Sequence, residues 1–263
     1  MPSPRSGALR LPEVTISEYQ GVRSLHLGTV WIQGSMRIDR PDHVELEYVQ
    51  RMLASLLWLA PAQWGQGLAV QLGLGAGAIT RFTLKALRMR TVAVELNPAV
   101  IGACRMAFHL PADGPKLQVL AMDAGRWVHD PVNRGTVQLL HVDLYDHEAA
   151  APVLDDAAFY AACHALLAEG GVMSVNLFGR DASFERSLAH LVAAFGAGQV
   201  CSLRPTREGN CVVMAGRHVA QPDRAALLER AAAIEGRFGR WGLPARKWLR
   251  MLRPQAAAPK HPG

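Results

Sequence analysis

Apolar residues fall into three successive patterns along the 263-residue chain. Up to about Ala60 they alternate loosely, as in Ser24-Leu25-His26-Leu27 and Val30-Trp31-Ile32. This predicts a few short strands leading into an amphipathic helix over 44–59. From Gly67 to Gly216, short apolar runs alternate with helical stretches. The runs are 68–74, 91–94, 117–121, 137–142 and 172–177; the helical stretches are 78–87, 98–108, 155–167 and 184–195. Runs that are apolar on both faces and separated by helices predict a parallel sheet covered on both sides. Two more strand candidates, 199–203 and 211–215, have only a turn at 206–210 between them, which suits a terminal antiparallel hairpin. After Ala220 the pattern is helical again, 225–238 and then 245–252, broken by Gly239, Gly242 and Pro244.

Five crossover strands closed by a hairpin predict an α/β protein with the Rossmann-like fold of AdoMet-dependent methyltransferases. Three regions are expected: a small N-terminal β-domain with its linking helix (1–60), a Rossmann-like cofactor-binding domain (61–220) and a helical C-terminal extension (221–263). Charge changes the picture of the last. The net charge of +6 lies wholly beyond Ala220, where nine basic residues face three acidic ones; the body carries 19 of each. That balance argues against a uniformly basic nucleic-acid enzyme. The extension is expected to be a solvated helical tail, with docking on the body, a partner or an anionic surface as the other readings. Four scattered cysteines without a C-x-x-C pair predict reduced thiols rather than disulfides or a zinc site. No stretch has the roughly 20 apolar residues of a membrane span, and the N-terminus lacks an apolar signal core; a cytoplasmic protein is expected.

The candidate chemistry starts at Leu72-Gly73-Leu74-Gly75-Ala76-Gly77-Ala78, where a strand turns into a helix. Gly73, Gly75 and Gly77 fit the G-x-G-x-G of AdoMet binders; Gly73, Gly75 and Ala78 also fit a dinucleotide G-x-G-x-x-A. Three acids farther along the chain narrow the choice. Glu95 ends the second run, placed to take ribose hydroxyls. Asp123 ends the third, followed by Ala124, placed for an adenine amino group. Asp143 ends the fourth, in Asp143-Leu144-Tyr145-Asp146. Ligands bind outside the carboxyl ends of parallel strands, so these residues describe one crevice. An acidic crevice suits a sulfonium cation better than a pyrophosphate, which favours AdoMet or a relative over NAD. Asp155 and Asp181 are expected as helix caps or turn residues. His147 beside Asp143 and Asp146 has no trustworthy ligand spacing, so no metal is expected.

With these residues assembled, the chain resembles the spermidine synthase (polyamine aminopropyltransferase) family over 18–216. The matching features are the glycine loop, Val94-Glu95, Asp123-Ala124, the D-x-x-D of Asp143 and Asp146, Phe159-Tyr160 before Gly170-Gly171, and Trp31-Ile32-Gln33-Gly34 with a Tyr48-bearing helix. The resemblance implies transfer of an aminopropyl group from decarboxylated S-adenosylmethionine to a small-molecule amine, and a homodimer. It implies Asp143 as the base, Asp146 and Tyr145 as groups positioning the amine, and Gln33 and Tyr48 reaching over from the β-domain. There are departures. The family's loop carries an acid for the aminopropyl ammonium where Ala76 stands here. Its D-E-x-x-Y-H-E stretch reads here as Glu45-Leu46-Glu47-Tyr48-Val49-Gln50-Arg51, without the histidine. The segment 147–152 lacks its D-P-x-G-P-A. The acceptor's identity, and ordinary against decarboxylated AdoMet, therefore stay open. A small-molecule methyltransferase and a non-catalytic binding protein on the same fold are the rival readings.

Overall fold

The computed structural model describes residues 11–145, 154–178 and 182–255. The N-terminal alternation becomes a three-stranded antiparallel sheet of β1 (Val14–Tyr19), β2 (Val22–Leu27) and β3 (Ile32–Arg37). The linking helix is shorter than its periodicity predicts: α1 (Glu47–Met52) tightens into a 3₁₀ segment, Leu53–Trp58. There the Ser55 hydroxyl donates to the Met52 carbonyl at 3.2 Å, and every residue of the segment is buried. Such back-bonding competes with the regular helical ladder.

The large sheet comprises β4 (Leu68–Leu72), β5 (Arg90–Glu95), β6 (Leu117–Ala121), β7 (Val137–Val142), β8 (Leu167–Phe178), β9 (Val200–Leu203), β10 (Asn210–Gly216) and β11 (Leu252–Pro254). Their spatial order is β11-β9-β10-β8-β7-β4-β5-β6. The five strands β4 to β8 pair in parallel, whereas β10 runs antiparallel to both β8 and β9. This is the expected doubly wound sheet with its terminal hairpin. Strand order reverses at β4, which lies between β5 and β7, and a crevice opens beyond the carboxyl ends there.

Between the strands run α2 (Ala78–Arg81, continued by a π-helical turn, Phe82–Ala86), α3 (Pro98–Ala107), α4 (Ala124–His129), α5 (Ala157–Leu166) and α6 (Ala182–Phe195). The N-terminal sheet packs onto this body. Leu25 and Met36 share a buried cluster with Leu74 and Ala76 of the glycine loop and with Val100 and Cys104 of α3.

The C-terminal segment corrects the expectation of a solvated tail. It folds as α7 (Arg224–Arg237) and α8 (Ala245–Trp248), and its Ile234, Phe238, Trp241 and Trp248 enter the same core as Trp58, Trp64 and Phe82. The helix read over 245–252 stops at Trp248, and the chain then adds β11 antiparallel to β9. The apolar stripe of the segment is buried by the body while Arg224, Arg237, Arg246, Lys247 and Arg253 stay exposed.

Candidate active site

The glycine loop is held from below. Gln71 Nε2 donates to the carbonyls of Gly73 and Leu74 at 2.7 and 3.1 Å, the Cys104 thiol donates to Gly75 O at 3.0 Å, and Arg81 Nη1 donates to Ala76 O at 2.7 Å. Four successive carbonyls are thus tied into the protein, which fixes the loop before any ligand arrives. Arg81 is buried, and burial lowers its pKa to about 10, so it remains a cation at neutral pH. Gly73 has φ +83°, and a Cβ there would stand 2.1 Å from the Asp143 carbonyl oxygen. Only glycine allows the loop to lie this close to the end of β7.

The other acids read from the sequence stand at the neighbouring strand ends, and each has structural work. Glu95 Oε2 accepts from Leu74 N at 2.9 Å and Oε1 from Asn97 N at 2.8 Å; burial raises its pKa while these bonds pull the other way. Asp123 caps α4, its Oδ1 accepting from Arg126 N at 2.8 Å, and Ala124 is the buried first residue of that helix. A carboxylate oxygen that accepts one amide still has a lone pair to offer. The cap expected at Asp155 falls instead to Asp156, whose side chain accepts from Phe159 N; Asp155 ties α5 to α6 by accepting from Tyr160 and Ser187. Asp181 lies outside the described residues.

Asp143 is the centre of a polar chain. Its Oδ1 accepts from Asn176 Nδ2 at 3.0 Å, Asn176 Oδ1 accepts from Asn210 Nδ2 at 3.3 Å, and the Tyr48 hydroxyl faces the carboxylate across the cleft. Burial holds the Asp143 carboxyl above the ordinary value near 3.8, and the Asn176 bond and the Tyr48 hydroxyl partly offset it. Burial, then the Asp143 charge, pushes the Tyr48 phenol well above 10, so it stays a protonated donor. Tyr145 spends its hydroxyl proton on the Asn176 carbonyl at 2.9 Å and sets its ring edge-on to Phe178. Asp146 lies outside the described residues.

The two sheets meet over this chain. Gln33, Glu45, Tyr48, Gln71, Ala76 and Asp143 line one cleft. Gln33 Nε2 is buried in its wall without a hydrogen-bond partner among the described residues. An orphaned amide donor at this place fits a ligand oxygen, and an ionisable acid beside it fits a cation.

No family model matches the chain. Among curated proteins it is 34% identical over 231 residues to the polyamine aminopropyltransferase of Chromobacterium violaceum, covering 87% of this chain and 86% of that one. It is 33% identical over 230 residues to the polyamine aminopropyltransferase of Neisseria meningitidis serogroup A, covering 87% and 85%. The chain belongs to the polyamine aminopropyltransferase family. It is therefore a transferase. Among solved structures, a probable spermidine synthase from Corynebacterium glutamicum superposes with a TM-score of 0.70 at 17% identity, covering 95% of both chains. Human methyltransferase-like protein 13, in complex with SAH, gives 0.64 at 20% identity over 82% of this chain and 97% of that one. A spermidine synthase bound to the transition-state analogue AdoDATO gives 0.59 at 14%, covering 89% and 87%. These neighbours share the fold.

Within an aminopropyltransferase frame the structure adds residues that reading the sequence missed. Asn176 and Asn210 orient Asp143, and Gln71, Cys104 and Arg81 fix the loop. Asn176 had a visible signal: with Ser174 it interrupts an otherwise apolar run at i and i+2, on the face that β7 fills with His141. The hairpin turn at 206–210 reaches the site through Asn210. Among the described residues no group of His, Cys, Asp and Glu could hold a metal ion, and no helix is long and apolar enough to cross a membrane.

Proposed function

We propose that the protein transfers the aminopropyl group of decarboxylated S-adenosylmethionine to a small-molecule amine, in polyamine synthesis. The observation that carries this reading is the half-buried Asp143 facing Tyr48 and the fixed glycine loop across one cleft. When bound, the co-substrate supplies a sulfonium-activated carbon. Asp143 takes a proton from the acceptor ammonium, its raised pKa making it a better base than a solvated aspartate. The freed amine forms the new C–N bond as the C–S bond breaks, which leaves a thioether, methylthioadenosine. Asn176 and Tyr48 hold the carboxylate in place through the transfer. Gly73, Gly75 and Gly77 cradle the nucleoside thioether, Glu95 takes ribose hydroxyls, Asp123 with Ala124 borders the adenine, and Gln33 donates into the cleft. Tyr145 borders the acceptor side, and Asp146 has the amine-positioning role that the family resemblance implies.

A second reading, methyl transfer from ordinary S-adenosylmethionine, is favoured by one residue: Ala76 in place of the family's loop acid. Incubation with each co-substrate and a panel of diamines, followed by mass spectrometry, separates the two. A product heavier by one aminopropyl unit is expected. A product heavier by one methyl unit, formed only with the ordinary co-substrate, overturns the reading.

A further inference from the structure

Where the family's loop carries an acid, this chain has Ala76, and the backbone of β3 lies close against it. A Cβ on Gly34 of β3 would stand 2.3 Å from the Ala76 amide nitrogen and 2.7 Å from its Cβ, so the bare backbone of β3 lies directly on this residue. Ala76 is 3% exposed. The glycine loop of this chain therefore offers no carboxylate to a substrate ammonium.

Another acid faces the same cleft. Glu45, in the connection before α1, lines it together with Ala76, Tyr48 and Asp143. Its neighbour Glu47 is exposed and pairs with Arg51 at 2.6 Å, so the two glutamates have separate tasks. Glu45 itself has no hydrogen-bond or ion-pair partner among the described residues. His43, two residues before it, has its pKa lowered by burial and by the Arg40 charge, which leaves it neutral at pH 7. The backbone here is anchored: Val44 N donates to the Trp241 carbonyl at 3.0 Å, and the His43 ring lies against Gly242. The orphaned donor of Gln33 in the same wall independently marks the cleft as built for a polar ligand.

We propose that Glu45 binds the ammonium of the aminopropyl donor, so that the charge selecting the decarboxylated co-substrate sits on the linker to α1 and not on the glycine loop. This rests on the aminopropyl-transfer reading above. The same carboxylate repels the amino-acid carboxylate that ordinary S-adenosylmethionine retains, and so acts as a specificity determinant with no role in the proton transfer.

Calorimetry on the intact protein tests it with three ligands: decarboxylated S-adenosylmethionine, S-adenosylmethionine and methylthioadenosine, which lacks the aminopropyl arm. Wild type binding the decarboxylated form no more tightly than the ordinary one overturns the parent reading, before any variant is made. With that preference present, Glu45→Gln is expected to weaken the decarboxylated form by about tenfold or more, the scale of a charge-assisted hydrogen bond, and to leave methylthioadenosine unchanged. The variant's affinity for the ordinary co-substrate is expected to rise or hold. Unchanged affinity for the decarboxylated form overturns the assignment to Glu45, as does an equal loss for methylthioadenosine, which marks a merely structural role.

Discussion

At the scale of single residues, Asp143 couples function to stability through one ionisation. Its folded pKa lies above the ordinary value near 3.8 because the half-buried carboxyl has lost part of its solvation. The protonated form is thus favoured by the fold. This contribution is fully present below the unfolded pKa and is lost as pH rises through the folded one. Asp143→Asn is accordingly expected to melt higher than wild type at pH 7, with the gap closing below about pH 4, as scanning calorimetry at several pH values will show. The same variant is expected to lose aminopropyl transfer by a factor of about 10² or more. Wild-type activity should fall on the acid side at a higher pH than a solvated aspartate dictates. His141 works in the opposite sense. Burial lowers its pKa to about 4, so the unfolded chain binds the proton first, and stability is lost as pH falls from about 6.5 towards 4. His141→Asn is expected to flatten that part of the melting profile, a change on the order of 3 kcal/mol for a shift of this size.

At the scale of elements, the decisive contact is between β3 and the glycine loop. The extended backbone of β3 approaches the turn of the loop closely, at Gly34 over Ala76 and at Gln33 O over Gly75. Gly34→Ala puts a methyl group into backbone atoms that have nowhere to move, and is expected to cost about 1–3 kcal/mol as an overpacked site. Because the shift falls on the loop, methylthioadenosine affinity should drop with it. Gly236→Ala provides the control: that glycine is exposed on α7 with nothing within 4 Å of a new Cβ, so stability should hold or rise slightly and ligand affinity should not change. Equal effects of the two substitutions on affinity would show that the approach of β3 does not shape the site. The glycine motif predicted a bend at 73–77 but gave no hint of what lay across from it. That partner arrives from about 40 residues upstream and is set by packing of Leu25 and Met36 against Leu74 and Ala76.

At the scale of the whole molecule, the C-terminal segment is part of the body. Its Phe238 and Trp241 pack edge-on against Phe82, with ring centroids 5.2 and 5.1 Å apart, and Arg230 donates to the Leu57 carbonyl at 3.0 Å. Trp248→Ala is expected to cost about 3–5 kcal/mol in chemical denaturation. Against the usual 5–15 kcal/mol of a folded domain, removal of everything after Ala220 should leave an aggregation-prone, inactive chain. A truncated protein that stays folded and active would return the segment to the solvated tail its charge suggested. Much of the architecture was legible in advance. The strand runs, the closing hairpin and the acids at three strand ends depend on local periodicity and on where a parallel strand stops, and both are written in consecutive residues. Asn176, Asn210, Gln71 and Arg81 were not assigned, because each acts on a partner far away in sequence and looks locally like an interrupted run, a turn or a surface cation. The sequence by itself determined the sheet, the loop and the ionisable groups near it, since hydrophobic period and glycine placement are short-range properties. Only the tertiary structure decided that the basic tail is core, that β3 closes over Ala76 and that Glu45 faces the cleft. Each of these depends on which surfaces are buried against each other, and burial is settled by the whole chain at once.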